Sequence, residues 1–214
     1  MRKIKIVLIL ISIVIIIVAG FYGVKYYKHH QPTPAGAVAL ELPLKDGTFY
    51  VTQSGRSGSR HTAVEQKYAL DIIRMPKISE WFQFRNTSLE SNSTYATPIY
   101  SPCSGNVRRI IDGAADQPIG IKSPENNVGN AVILNCDSGF LVRMAHIKSG
   151  AIKVKTGDPV QVGDQIAQIG NSGNTDGPHL HIEAFRLDGP NNDPTPLPIV
   201  FAGKYLLTGD KFKN

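Results

Sequence analysis

Acidic residues are missing from the first thirty positions, whereas Arg2, Lys3, Lys5, Lys25 and Lys28 all fall there. The chain of 214 residues has a formal charge of +6, and without those five the remainder holds 18 basic against 17 acidic residues. The remainder therefore lacks the basic field that tracks a phosphate backbone, so no nucleic-acid partner is expected. Cysteine is scarce, with Cys103 and Cys136 alone. Two cysteines permit one disulfide or stand as two buried thiols, and export of the domain would favour the bridge. Also missing, after the N-terminus, is any long apolar period of 3.6 residues. No His-Glu-x-x-His helix occurs, which excludes a thermolysin-like metal site, and no nucleophile-elbow motif supports a serine triad.

The N-terminus has one long apolar run. Residues 6–24 carry no charge, and Ser12 alone breaks the Ile, Val and Leu of residues 6–18. As a helix this stretch spans roughly 28 Å, close to a bilayer's hydrocarbon thickness. Arg2, Lys3 and Lys5 precede it, which predicts a cytoplasmic N-terminus, a retained single-pass transmembrane anchor over residues 6–27 and an exported remainder. A cleaved signal peptide is the competing reading, but the run exceeds a usual apolar core, and Ala35-Gly36-Ala37 lies well beyond its end. Residues 28–37, with His29, His30 and two prolines, read as a linker.

Residues 38–214 are expected to form one domain, long enough for a buried core. Short runs at 48–52, 68–73, 106–111, 131–134 and 141–145 are rich in branched and aromatic residues, and Gly, Asp, Asn and Pro bound them. An all-β domain of antiparallel sheets, barrel-like or sandwich-like, follows. Residues 75–96 make a long irregular segment with Trp81, Phe82 and Phe84, a loop held down by its aromatics or a lid over a groove.

Four histidines outside the linker carry the chemistry. His179 and His181 stand one residue apart after the Gly177-Pro178 turn, so a strand would turn both to one face. Asp71 lies in a strand-like run between apolar residues, where a buried carboxylate needs a metal or an arginine. His61 sits in a polar stretch, and His146 ends a hairpin-like pair of runs. Residues 152–170 hold two Gly-Asp turns that resemble lipoyl or biotinyl carrier domains, but the modified lysine of a carrier is absent.

The set comes in a telling order. His61 is followed by Tyr68-Ala69-Leu70-Asp71, then by Thr97-Pro-Ile-Tyr-Ser-Pro-Cys-Ser-Gly-Asn-Val107, then by Gly129-Asn-Ala-Val-Ile-Leu134. Met144-Ala-His-Ile147 and Gly170-Asn-Ser-Gly-Asn-Thr-Asp-Gly-Pro-His-Leu-His181 complete it. In this order the motifs resemble those of the lysostaphin-type zinc metallopeptidases, the LytM-like cell-wall endopeptidases, over a core of residues 55–190. One departure is the spacing of the first motif, where nine residues separate His61 from Asp71. The resemblance implies Zn2+ held by His61, Asp71 and His181, with His146 and His179 as catalytic histidines beside the activated water. It implies hydrolysis of peptide bonds in peptidoglycan by a domain on the outer side of a bacterial cytoplasmic membrane. A non-catalytic LytM-like module that regulates other wall hydrolases is the alternative, and an exported lysin is a third reading.

Overall fold

The apolar N-terminus forms one helix, α1 (Arg2–His29), in the computed structural model, which describes residues 2–29, 32–55, 61, 63–76, 88–123 and 127–214. The helix therefore runs through Lys28 and His29, two positions expected in the linker. Its described side chains, at residues 9–23 and Tyr26, are exposed. Among the described residues no helix is long and apolar enough to cross a membrane. The expected transmembrane span is thus not supported. Trp81, Phe82 and Phe84 lie outside the described residues.

The chain divides into two compact units, Met1–Thr33 and Pro34–Asn214. In the second, the described strands are β1 (Val38–Leu40), β2 (Thr48–Ser54), β3 (Leu70–Arg74), β4 (Pro98–Tyr100), β5 (Gly105–Ile111), β6 (Asn130–Cys136) and β7 (Phe140–Ile147). They continue with β8 (Pro159–Val160), β9 (Gln165–Gln168), β10 (Leu180–Leu187), β11 (Pro194–Leu197), β12 (Ile199–Phe201), β13 (Lys204–Tyr205) and β14 (Lys211–Lys213). The main sheet runs β14-β2-β3-β10-β7-β6-β5-β8, with β11 beside the second half of β10, and all its pairings are antiparallel. Two small sheets, β1-β12-β13 and β4-β9, stand apart from it, and β1 with β12 is a parallel pair. The all-β expectation is met, but the sheet is open, not a closed barrel: its path ends at β14 and β8, which do not pair with each other.

One face of the main sheet makes the core. Leu180, Ile182 and Ala184 of β10 alternate inward, and register sets Ile182 between Leu70 of β3 and Met144 of β7. Ile99, Ile166, Ile199 and Phe201 of the small sheets join the same buried cluster. Each such side chain contributes about 1.5–3 kcal/mol when removed from water. The opposite face of β10 carries His181, Glu183 and Phe185, all buried too. The Cys103–Cys136 disulfide is formed, and joins the entry to β5 with the end of β6.

Candidate metal centre

Three adjacent strands lay out the floor of the site. On β10, His181 lies directly opposite Asp71 of β3 on one side and Ala145 of β7 on the other. His179 precedes β10 by one residue, and the two-residue period brings it to the same side as His181.

Asp71 is the hub. Its Oδ1 lies 3.0 Å from His61 Nε2, 3.0 Å from His181 Nδ1 and 3.5 Å from His179 Nε2. His61 reaches it from outside the sheet, with its Nδ1 2.9 Å from the carbonyl of Gly55 at the end of β2. Nδ1–H donates there, so Nε2 is left to face Asp71. One donor atom each from His61, Asp71 and His181 falls within 4.8 Å of the others, and all three residues are buried.

His146 enters through a bulge. Between β6 and β7 the register steps from Ala131↔Ala145 to Asn130↔Ile147, so His146 is the extra residue, and its φ is 59°. Regular alternation would send His146 to the core with Met144 and bring Ile147 to the site. The bulge exchanges them: Ile147 is fully buried in the core, and His146 faces the other histidines, its ring centroid 4.7 Å from that of His179. The bulge is pinned from behind. Asn130 N–H donates to Ser172 Oγ at 3.0 Å, Ser172 Oγ–H donates to the Ile147 carbonyl at 2.7 Å, and His146 Nδ1–H donates to the Ser172 carbonyl at 2.9 Å. His179 is held in the same way, its Nδ1 2.9 Å from the Gly177 carbonyl and 3.2 Å from Thr175 Oγ1. Both rings thus give Nδ1–H to the protein and turn Nε2 to the cleft.

Electrostatics follow from burial and partners. Burial alone would raise the Asp71 carboxyl, but the imidazoles of His179, His181 and His61 ranged around it hold it well below the usual range. Burial would lower His181, yet the hydrogen bond to Asp71 and the nearby Glu183 carboxylate raise it to about 9. His146 is pushed down by its burial and then by the neighbouring imidazoles. The cleft holds about 240 Å³, and an exposed ion pair, Lys122 Nζ to Asp176 Oδ1 at 2.9 Å, stands in its wall.

The family model for peptidase family M23 matches residues 85–194, slightly over half of the chain. The chain belongs to this metallopeptidase family. Of the five residues singled out in the sequence, the match includes His146, His179 and His181; His61 and Asp71 lie before it. Among relatives of this M23 chain, an "Uncharacterized metalloprotease" of Buchnera aphidicola subsp. Baizongia pistaciae (strain Bp) is 37% identical over 57 residues, covering 27% of this chain and 15% of that protein. A zinc containing peptidase from Vibrio cholerae is 23% identical, with 80% of this chain and 41% of that chain covered and a TM-score of 0.46. The catalytic domain of lysostaphin from Staphylococcus simulans is 18% identical, with 70% and 86% covered and a TM-score of 0.40. The M23 chain thus spans less than half the length of the first two.

The structure gathers all five sequence-derived residues in one cleft. The sequence reading missed Ser172 and Thr175, which orient the two flanking histidines, and the pair Arg143 and Glu183. Glu183 was open to discovery, because it lies one strand period beyond His181.

Proposed function

We propose that this M23 chain is a zinc metalloendopeptidase that hydrolyses peptide bonds in peptidoglycan. The observation that carries the reading is the meeting of His61, Asp71 and His181 donor atoms beside two further imidazoles. Their donor set fits zinc. Two nitrogens and a carboxylate oxygen suit the ion, and three protein ligands leave a fourth position open. The two 3.0 Å separations lie near the edge of about 3.3 Å between tetrahedral donors at 2.0–2.1 Å from a metal.

Bound there, zinc would supply Lewis acidity, which polarises a carbonyl and brings water's pKa toward about 7. The chain's own residues do the rest. His146 and His179, each fixed through Nδ1–H, present Nε2 atoms that accept a proton from the attacking water and return it to the leaving amine. The same groups, once protonated, donate to a developing oxyanion. The sheet holds Asp71 and His181, and Nδ1 hydrogen bonds to backbone carbonyls hold His61, His146 and His179, before substrate arrives.

Work outside the cytoplasm belongs to the same proposal. The basic-then-apolar N-terminus and the disulfide support it. Protease accessibility of the full chain in spheroplasts tests it; a protease-shielded chain would sink it.

The test of activity incubates the protein with purified peptidoglycan, with and without chelator, beside His179→Ala. Fragment release that needs zinc and His179 is expected. Zinc bound without release would favour the regulatory module, and no zinc bound would remove the reading of His61, Asp71 and His181.

A further inference from the structure

Behind His181, on the side away from Asp71, lies a chain of charges, buried at its inner end, that the proposed chemistry has not used. Glu183 follows His181 by one strand period and is 0% exposed. Arg143 of β7 is its direct cross-strand neighbour. The Arg143 guanidinium ion-pairs through Nη2 with Glu183 Oε1 and, at 3.3 Å, with Glu65 Oε1 of the short 3₁₀ turn Glu65–Tyr68. It also lies over the Phe185 ring, 5.9 Å from its centroid.

A carboxylate buried this completely is costly unless charge and hydrogen bonds compensate it. Arg143 supplies one positive charge to two carboxylates, so the chain Glu65–Arg143–Glu183 keeps one negative charge in excess. That excess faces an imidazole. Glu183 Oε2 stands 3.7 Å from His181 Nε2, and neither atom has a hydrogen-bond partner. Nδ1 of the same ring points the other way, 3.0 Å from Asp71 Oδ1.

We infer that Glu183, clamped by Arg143, is a positioning residue that holds the His181 ring with Nε2–H toward its own carboxylate and the Nδ1 lone pair toward the metal position. The inference rests on the zinc reading given above. A neutral imidazole carries one N–H, and a fixed carboxylate on one side decides which nitrogen keeps it. Outer carboxylates of this kind orient metal-binding histidines and make them more basic. A purely structural Glu183 would serve Arg143 alone and leave zinc binding untouched.

The experiment measures zinc affinity of the full chain by competition with a chromogenic chelator, for wild type, Glu183→Gln and a His181→Ala control. Glu183→Gln keeps the shape and removes the charge. Its zinc affinity is expected to fall about 10–100-fold, with an unchanged far-ultraviolet circular dichroism spectrum and an intact disulfide. Unchanged affinity in folded Glu183→Gln, beside a wild type that binds zinc and a His181→Ala chain that does not, overturns this inference and leaves the metal centre standing. A wild type without zinc affinity overturns the metal centre itself. Should Glu183→Gln fail to fold, the histidine N–H resonances of zinc-loaded wild type decide. A His181 Nε2–H shifted downfield, as for an imidazole bonded to carboxylate, is expected; one at the position of an unbonded imidazole overturns the inference.

Discussion

The Nδ1 atom of His181 faces Asp71, and a proton and a metal ion would compete for it. With its pKa raised to about 9 by Asp71 and Glu183 against the effect of burial, His181 in the metal-free protein is protonated at pH 7. Zinc must displace that proton, so apparent affinity rises with pH by about tenfold per unit from pH 7 and levels off above about pH 9. Asp71, held well below the usual carboxylate range, is already ionised over this window and adds no slope. Calorimetry in two buffers of different ionisation enthalpy should therefore show about one proton or more released per zinc at pH 7, the excess over one coming from bound water; no release would contradict the raised His181. The histidines themselves were legible in the sequence, because their order along the chain constrained them jointly. Arg143 and Glu183 were not. A charged residue inside a strand run reads as a solvated face, and only the register of β7 against β10 reveals that both are covered.

Strand β7 shows why elements were easier to foresee than their irregularities. The runs expected at 131–134 and 141–145 fall within β6 and β7, since branched residues and Gly boundaries mark strands locally. The bulge at His146 left no such mark, for it is set by contacts with residues distant along the chain, Ser172 above all. Closure into a barrel was equally out of reach, because it depends on whether the outermost strands meet. The bulge depends on Gly129, which has φ +60°, and whose added Cβ would come within 2.2 Å of the Ser172 carbonyl oxygen. Gly129→Ala is therefore expected to cost about 2 kcal/mol or more, read as a lower denaturant midpoint. It should also depress hydrolysis more than zinc binding, because it displaces His146 and not the ligands on β3 and β10. Zinc loss equal to the loss of activity would show that the bulge supports the whole centre.

Across the whole second unit, the disulfide and the candidate centre occupy different ends of β6. Cys136 closes the strand, whereas Asn130, which secures Ser172, opens it. Replacing both cysteines by serine is expected to destabilise by about 3–4 kcal/mol through the freed chain between them. Chemical unfolding should show this loss while zinc stoichiometry stays unchanged; loss of zinc in the folded double variant would reveal coupling along β6. The three proposed ligands also differ in how they are anchored. Asp71 and His181 belong to strands paired on both edges, and such strands open only near the global unfolding free energy. His61 lies outside the sheet, beyond the end of β2. The lifetimes of the three bonds to a metal would therefore be unequal, and departure would begin at His61. Isotopic zinc exchange should then proceed at a rate indifferent to mild denaturant, while amide hydrogens of β3 and β10 remain protected throughout: the ion would come and go through a side door of a closed house.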